Sequence, residues 1–189
     1  MMNSVLVISS GEKSTAFFME ILNQQGYDEI VMLKNGGISR RTLAERDFDL
    51  SIINAPLSDE SGERLAIDIA SSGLTQVILI IKAELYDEIC EKVEDYGVLT
   101  VAKPINKQIL WNALKLANAA HHRLTRLKSE NNKLLQKIED IRVIDRAKCT
   151  LMGYLQMSEE EAHRYLEKQA MDRRTSKREV ANQVLKAYE

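Results

Sequence analysis

The chain has 189 residues, 44% of them hydrophobic and 29% charged, enough for one ordinary domain plus a small second one and unlike a disordered segment. Its longest apolar run, 77–81, is too short to span a bilayer, and the opening MMNSVLVISS lacks a basic stretch before an apolar one, so a cytoplasmic protein with no secretory leader is expected. The net charge of −2 is uneven: residues 1–119 hold 11 Lys+Arg and 17 Asp+Glu, residues 120–189 hold 15 and 11, which assigns any polyanion contact to the rear of the chain.

Strands and helices alternate through the front. Residues 4–8 (SVLVI) read as a strand, followed by a Ser-Ser-Gly turn and a helix over 13–25 with Phe17, Phe18, Ile21 and Leu22 on one face. Gly26 stops that helix. A strand at 29–33, a short helix at 39–46 and a strand at 50–53 follow. A loop closing at Gly62 leads to a helix ending near Ser72. The most apolar strand is 76–81, then come a helix over 84–96 and a brief strand over 98–102. Five strands alternating with helices at this spacing predict an α/β fold, a doubly wound, flavodoxin-like parallel sheet over residues 1–118. In such sheets ligands sit at the carboxyl ends of the strands. The two cysteines, Cys90 and Cys149, lack metal-ligand spacing and are expected as reduced, half-buried thiols.

From Asn106, a plausible cap beside Pro104, no glycine or proline occurs until Gly153. Leu124, Leu127, Asn131, Leu134, Ile138 and Ile141 recur at spacings of 3 and 4, the seam of a coiled coil over a linker helix, residues 119–145. A polar Asn131 on the seam favours one register and a parallel homodimer. Asp145 breaks the next seam position, and the flanking pairs Arg123 with Lys128 and Lys137 with Arg142 are like-charged. The stripe packing onto the molecule itself is the alternative.

Residues 146–189 carry two helix-start signals, Ser158-Glu-Glu-Glu161 and Ser176-Lys-Arg-Glu179, both with capping-box spacing. They predict one helix ending near Leu155, a second from 159 to about 172 and a third from 177 to about 187, a small three-helix unit. The basic residues it offers as candidate contacts are Arg146 and Lys148, then Arg164 and Lys168 one turn apart, then Arg173, Arg174, Lys177 and Arg178 around the second turn. Cations beside the free N–H groups of a helix start suit phosphates. Tyr165 falls on the apolar face, which favours core packing over base stacking, whereas Tyr154 reads as exposed.

Two resemblances attach to these residues. The strand ends of residues 4–118 resemble the response-regulator receiver family, with Ser9 and Ser10 where the family has its Mg²⁺-binding acidic pair, Asn54 at the phosphoryl-accepting aspartate, Lys82 at the hydroxyl residue, and Lys103-Pro104 retained. The resemblance implies a cis bond before Pro104. An amide cannot form an acyl phosphate, and two hydroxyls with an amide offer Mg²⁺ no charge, so a degenerate pseudo-receiver without phosphotransfer is expected. Lys103 either points to solvent or bonds Asn54 or the serines. Asp59 reads as a turn residue, not a phosphosite.

The tail resembles the ANTAR domain of transcription antitermination regulators, on Ala147-Lys148, Leu151-Met152, Ser158 to Ala162, Leu166, Ala170-Met171 and Val180-Ala181. It departs at Gly153 and Gln156. This resemblance implies binding to RNA stem-loops in nascent transcripts that prevents a terminator from forming. It implies neither an enzyme nor a cofactor or metal. The rival readings are a DNA-binding helix-turn-helix presenting Ser176, Lys177 and Gln183 to the major groove, and an adaptor that meets a protein partner through the pseudo-receiver.

Overall fold

The computed structural model describes residues 3–73 and 75–188. The chain divides into two compact units, 1–126 and 127–189.

The first unit contains β1 (Ser4–Ser9), α1 (Glu12–Gln24), β2 (Glu29–Leu33), α2 (Gly36–Glu45), β3 (Leu50–Asn54), α3 (Glu63–Ser72), β4 (Gln76–Lys82), α4 (Tyr86–Val93) and β5 (Leu99–Lys103). All strand pairs are parallel in the order β2-β1-β3-β4-β5, as the alternating pattern predicts. β3 and nearly all of β4 are buried. Such uninterrupted apolar strands need cover on both faces, and the core accordingly forms two clusters. One joins Val5, Val7, Ile52 and Ile78 to α1 and to the start of the next helix, α5 (Lys107–Leu155); the other joins Leu6, Ile8, Ile53 and Leu79 to α3 and α4.

The register sets the strand ends side by side, Ser9 with Asn54 and Lys82 with Lys103. The loop after β3 closes at Gly62, whose φ of 95° is one that L side chains rarely adopt. A Cβ there would stand 3.1 Å from Ile53 Cγ2 and 3.3 Å from Ala55 Cβ. The bond before Pro104 is cis, as the receiver resemblance implies; so is that before Pro56. Two boundaries move. α2 starts at Gly36, three residues before the predicted start, because the Asn35 carboxamide accepts from the Ile38 N–H at 2.9 Å. The predicted helix over 84–96 is regular only over 86–93, with 3₁₀ turns at both ends.

α5 runs from Lys107 to Leu155, capped by Asn106, whose carboxamide accepts from the Ile109 N–H at 2.9 Å. In the second unit the end of α5 packs with α6 (Glu159–Asp172) and α7 (Lys177–Tyr188). Ala147, Leu151, Ala162, Leu166, Val180 and Ala181 form that core, each at most 2% exposed. Both capping-box expectations meet the structure here, with different outcomes. At α6 the box is complete: the Glu161 N–H donates to Ser158 Oγ at 3.2 Å and the Ser158 N–H donates to Glu161 Oε2 at 2.8 Å. At α7 only half forms. Ser176 Oγ accepts from the Glu179 N–H, but the Glu179 carboxylate takes the Thr175 hydroxyl instead of reaching back.

The α6 box gives a stability prediction. Ser158→Ala costs about 1 kcal/mol, readable as a lower denaturation midpoint of the helical unit. The Glu161 pKa is lowered, first by the Ser158 N–H and then by its hydroxyl. Its contribution is therefore complete above the ordinary carboxylate pKa of about 4 and disappears as pH falls through the depressed value. Of the cysteines, Cys90 is half-buried but Cys149 is exposed, because Cys149 lies outside the buried α5 face of Ala147 and Leu151. Among the described residues no helix is long and apolar enough to cross a membrane.

Candidate nucleic-acid interface

The receiver-fold strand ends form a neutral to cationic patch. The Asn54 amide donates to Ser9 Oγ at 3.0 Å, and both side chains are buried. Ser10 and Lys82 are exposed. The Lys103 ammonium donates to the Ala55 carbonyl, so it bonds the backbone beside Asn54 and neither Asn54 itself nor the serines. Burial, and then the neighbouring charge of Lys82, push its pKa down. Asp59 supplements the Asn35 cap of α2 from the loop after β3: its two oxygens accept from the Gly36 and Gly37 N–H groups at 2.9 and 3.0 Å, and those bonds hold its carboxyl below the usual range.

In the helical unit, ion pairing sorts the basic residues into two sets. Lys148 lies 2.8 Å from Asp145 and 3.1 Å from Glu159, carboxylates that raise its pKa. Arg164 pairs with Glu160 one turn before it. Lys177 meets Glu167 at 2.6 Å, and Arg178 meets Asp140 at 2.7 Å, tying α7 to α6 and to α5. Arg146 is exposed and also has a partner. The pairs of Lys177 and Arg178 join separate elements and help to position α7.

The second set surrounds the turn between α6 and α7. Lys168, Arg174 and Lys186 are exposed and carry no ion pair among the described residues, and Arg173 donates to a neutral group, the Gln183 carbonyl oxygen. Asp172 is the single acidic residue of 168–178. The backbone here is unusual. α6 ends with the Thr175 N–H on the Ala170 carbonyl at 3.0 Å and the Arg174 N–H on the Met171 carbonyl at 3.2 Å, the paired bonds of a Schellman motif. The residue after the cap must then be left-handed, and it is Arg174, at φ 52°. Glycine is the usual occupant; a side chain there costs roughly 1–2 kcal/mol. Holding an arginine in that position aims an unpaired cation outward from the turn at the expense of stability.

Next to this turn, α6 and α7 enclose a cavity of about 280 Å³. Val180 and Val184, both in the core, close its apolar side; Tyr165 and Tyr188 also line it. Tyr165 thus packs against the core, as its place on the apolar face predicts, and also reaches the cavity wall. Tyr154 is 66% exposed, with its ring 5.4 Å from that of Tyr188. The major-groove set of the DNA reading is largely engaged: Ser176 caps α7, Lys177 pairs with Glu167, and Gln183 holds Arg173. Sequence spacing singled out Gln183 for the DNA reading alone, and Lys186 and Tyr188 for neither nucleic acid. Their grouping with residues of α6 exists only once the two helices are packed.

Along α5, residues 122–139 are all exposed, including Leu124, Leu127, Asn131, Leu134 and Ile138; Ile141 is 58% exposed.

A model of the ANTAR domain matches residues 132–185, starting inside the stretch expected as linker. The transcriptional regulatory protein PdtaR of Mycobacterium tuberculosis (strain H37Rv) is 30% identical over 168 residues, covering 88% of this chain and 81% of that protein. Among solved structures, the BeF3-activated DrrB receiver domain is 25% identical with a TM-score of 0.54, over 63% of this chain and 99% of that one. The signal receiver domain of an HD domain-containing protein from Pseudomonas fluorescens Pf-5 is 23% identical with a TM-score of 0.59, over 66% and 93%.

Proposed function

We propose, because the chain belongs to the ANTAR-domain family of transcriptional regulators with an N-terminal receiver domain, that it binds stem-loops in nascent mRNA through its helical unit and so prevents a terminator hairpin from forming. The observation that carries this reading is the cluster at the α6–α7 turn. Among the described residues Lys168, Arg173, Arg174 and Lys186 lack acidic partners there, beside a cavity with two tyrosines. Phosphates need unneutralised cations, and unpaired bases need ring faces. Arg146, Lys148, Arg164, Lys177 and Arg178 extend the basic surface, but four of these five already have carboxylates within salt-bridge distance. Their exchange onto phosphates gains less.

The test is single-round transcription through a leader whose hairpin, selected by the chain from its own genome, overlaps a terminator. Read-through rises with added protein; unchanged termination at saturating protein rejects the reading.

The active form is a homodimer through Leu124, Leu127, Asn131, Leu134, Ile138 and Ile141. A helix exposed on every side over residues 122–139 buries no apolar face of its own, and most helical stability comes from such burial. Pairing two copies along the seam supplies it.

The receiver domain regulates by contact or dimer geometry and not by phosphorylation. Ser9, Ser10 and Asn54 supply no carboxylate for Mg²⁺ or for an acyl phosphate, and Lys82 and Lys103 place cations beside them. A prediction follows for Asn54→Asp. Restoring the one carboxylate leaves Ser9 and Ser10 without charge for the metal, so incubation with Mg²⁺ and acetyl phosphate gives no stable labelling. Stoichiometric label on that variant would contradict this account of the pocket.

A further inference from the structure

The cavity between α6 and α7 has polar groups whose bonding state limits what it can hold. Arg173 Nη1 donates to Gln183 Oε1. A guanidinium only donates, so the Gln183 carbonyl oxygen is fixed toward it, and the Gln183 NH₂ faces away with two donors unused among the described residues. The remaining N–H groups of Arg173 are also donors. Gln169, half-buried on the α6 side of the cavity, has no hydrogen-bond partner for its carboxamide among the described residues. The walls include the rings of Tyr165 and Tyr188, and behind Tyr188 lies the exposed ring of Tyr154.

We infer that this cavity seats one unpaired base of the RNA, held against the tyrosine rings and read by the Gln183 and Arg173 donors through acceptor atoms on its edge. The inference rests on the RNA-binding reading above and adds to it a base-recognition site distinct from the phosphate contacts. Three features favour a base. The half-open cavity of about 280 Å³ is large enough to take one planar ring system. The polar groups lie beside aromatic walls, the combination by which proteins read splayed single-stranded bases. The cations that would hold the flanking phosphates stand within one helical turn of lining residues. Lys168 follows Tyr165 by three positions, Lys186 follows Gln183 by three, and Arg174 adjoins Arg173. An apolar or acidic peptide side chain would leave the Gln183 NH₂ or the tyrosine faces unused.

The two kinds of contact have different signatures. Phosphate contacts set the salt dependence of binding, whereas a seated base contributes stacking and edge hydrogen bonds that depend little on salt.

The test uses the full chain and a hairpin RNA selected from a pool with a randomised loop. Ala187→Trp fills the cavity from an exposed lining position outside the core, and Gln183→Ala removes the edge donor as a second, smaller change. Each lowers hairpin affinity by roughly tenfold or more with the slope of log affinity against log salt unchanged. The same hairpin with an abasic site at one loop position binds the native chain with a comparable loss. At that position only, the abasic site costs the Ala187→Trp chain nothing further. If both variants bind like the native chain, or if every abasic loss simply adds to theirs, the base site is refuted while RNA binding stands. If the native chain does not prefer the hairpin to duplex DNA, the RNA reading itself falls, and with it this site.

Discussion

A chain carrying Arg173→Ala together with Arg174→Gly loses hairpin binding while its helical unit becomes harder to unfold. Arg174 sits at the left-handed position after the α6 cap, where glycine relieves a conformational cost of roughly 1 kcal/mol or more. Arg173 is exposed and, among the described residues, its side chain bonds only Gln183 across the groove, so its truncation removes little packing. Binding moves the other way. One phosphate contact, Arg174, and one base-edge donor, Arg173, disappear, and the salt slope falls by about one. Affinity at near-physiological salt falls by roughly ten- to a hundredfold. Thermal melting and anisotropy titration across salt measure both in one preparation. Opposite signs for stability and affinity separate a binding role from a structural one, since damage to the fold would lower both. Unchanged hairpin affinity would remove the turn from the interface.

The second large effect concerns the seam. Leu127→Glu with Leu134→Glu places carboxylates at two successive core positions of a paired α5. Because Leu127 and Leu134 are 50% and 59% exposed and belong to no buried core, the exchange leaves both compact units intact. The mass in solution at tens of micromolar falls from two chains to one. The consequence for RNA depends on the ligand. An RNA with two adjacent stem-loops loses the gain from simultaneous engagement, on the order of 10²–10⁴ in affinity, whereas a single stem-loop binds each chain nearly as before. A native chain that is monomeric with and without RNA would overturn the dimer.

The fold was legible in the sequence wherever the signal was local. Apolar runs of strand length separated by Gly26 and the loop to Gly62 give the sheet, and Ser158 and Ser176 place the starts of α6 and α7 at 159 and 177. What was not legible depended on partners distant in sequence. Arg178 finds Asp140 thirty-eight positions away, and Lys177 finds Glu167, so a run of basic residues that looks uniform separates into paired and unpaired members only in three dimensions. The Glu179 carboxylate has the right spacing for a second capping box, but the Thr175 hydroxyl is a nearer partner. Lys103 had Asn54 and the serines within range, yet the Ala55 carbonyl receives its ammonium. The left-handed Arg174 had a faint signal: a helix end with two arginines and no glycine before the Thr-Ser of the next cap. The cavity had none, because Tyr165 and Tyr188 are twenty-three positions apart, Tyr165 reads as core-facing and Tyr188 falls beyond the predicted end of its helix.

On the proposed reading the α6–α7 turn is the working surface and the receiver domain is the part that controls it. The most direct measurement is competition for the full chain between a selected hairpin RNA and duplex DNA of the same stem sequence, repeated across salt concentrations. The account predicts that the hairpin wins at every salt concentration and that its advantage widens as salt rises, because base contacts outlast screened phosphate contacts. Equal affinity with equal salt slopes for the two would leave only charge attraction and would contradict it.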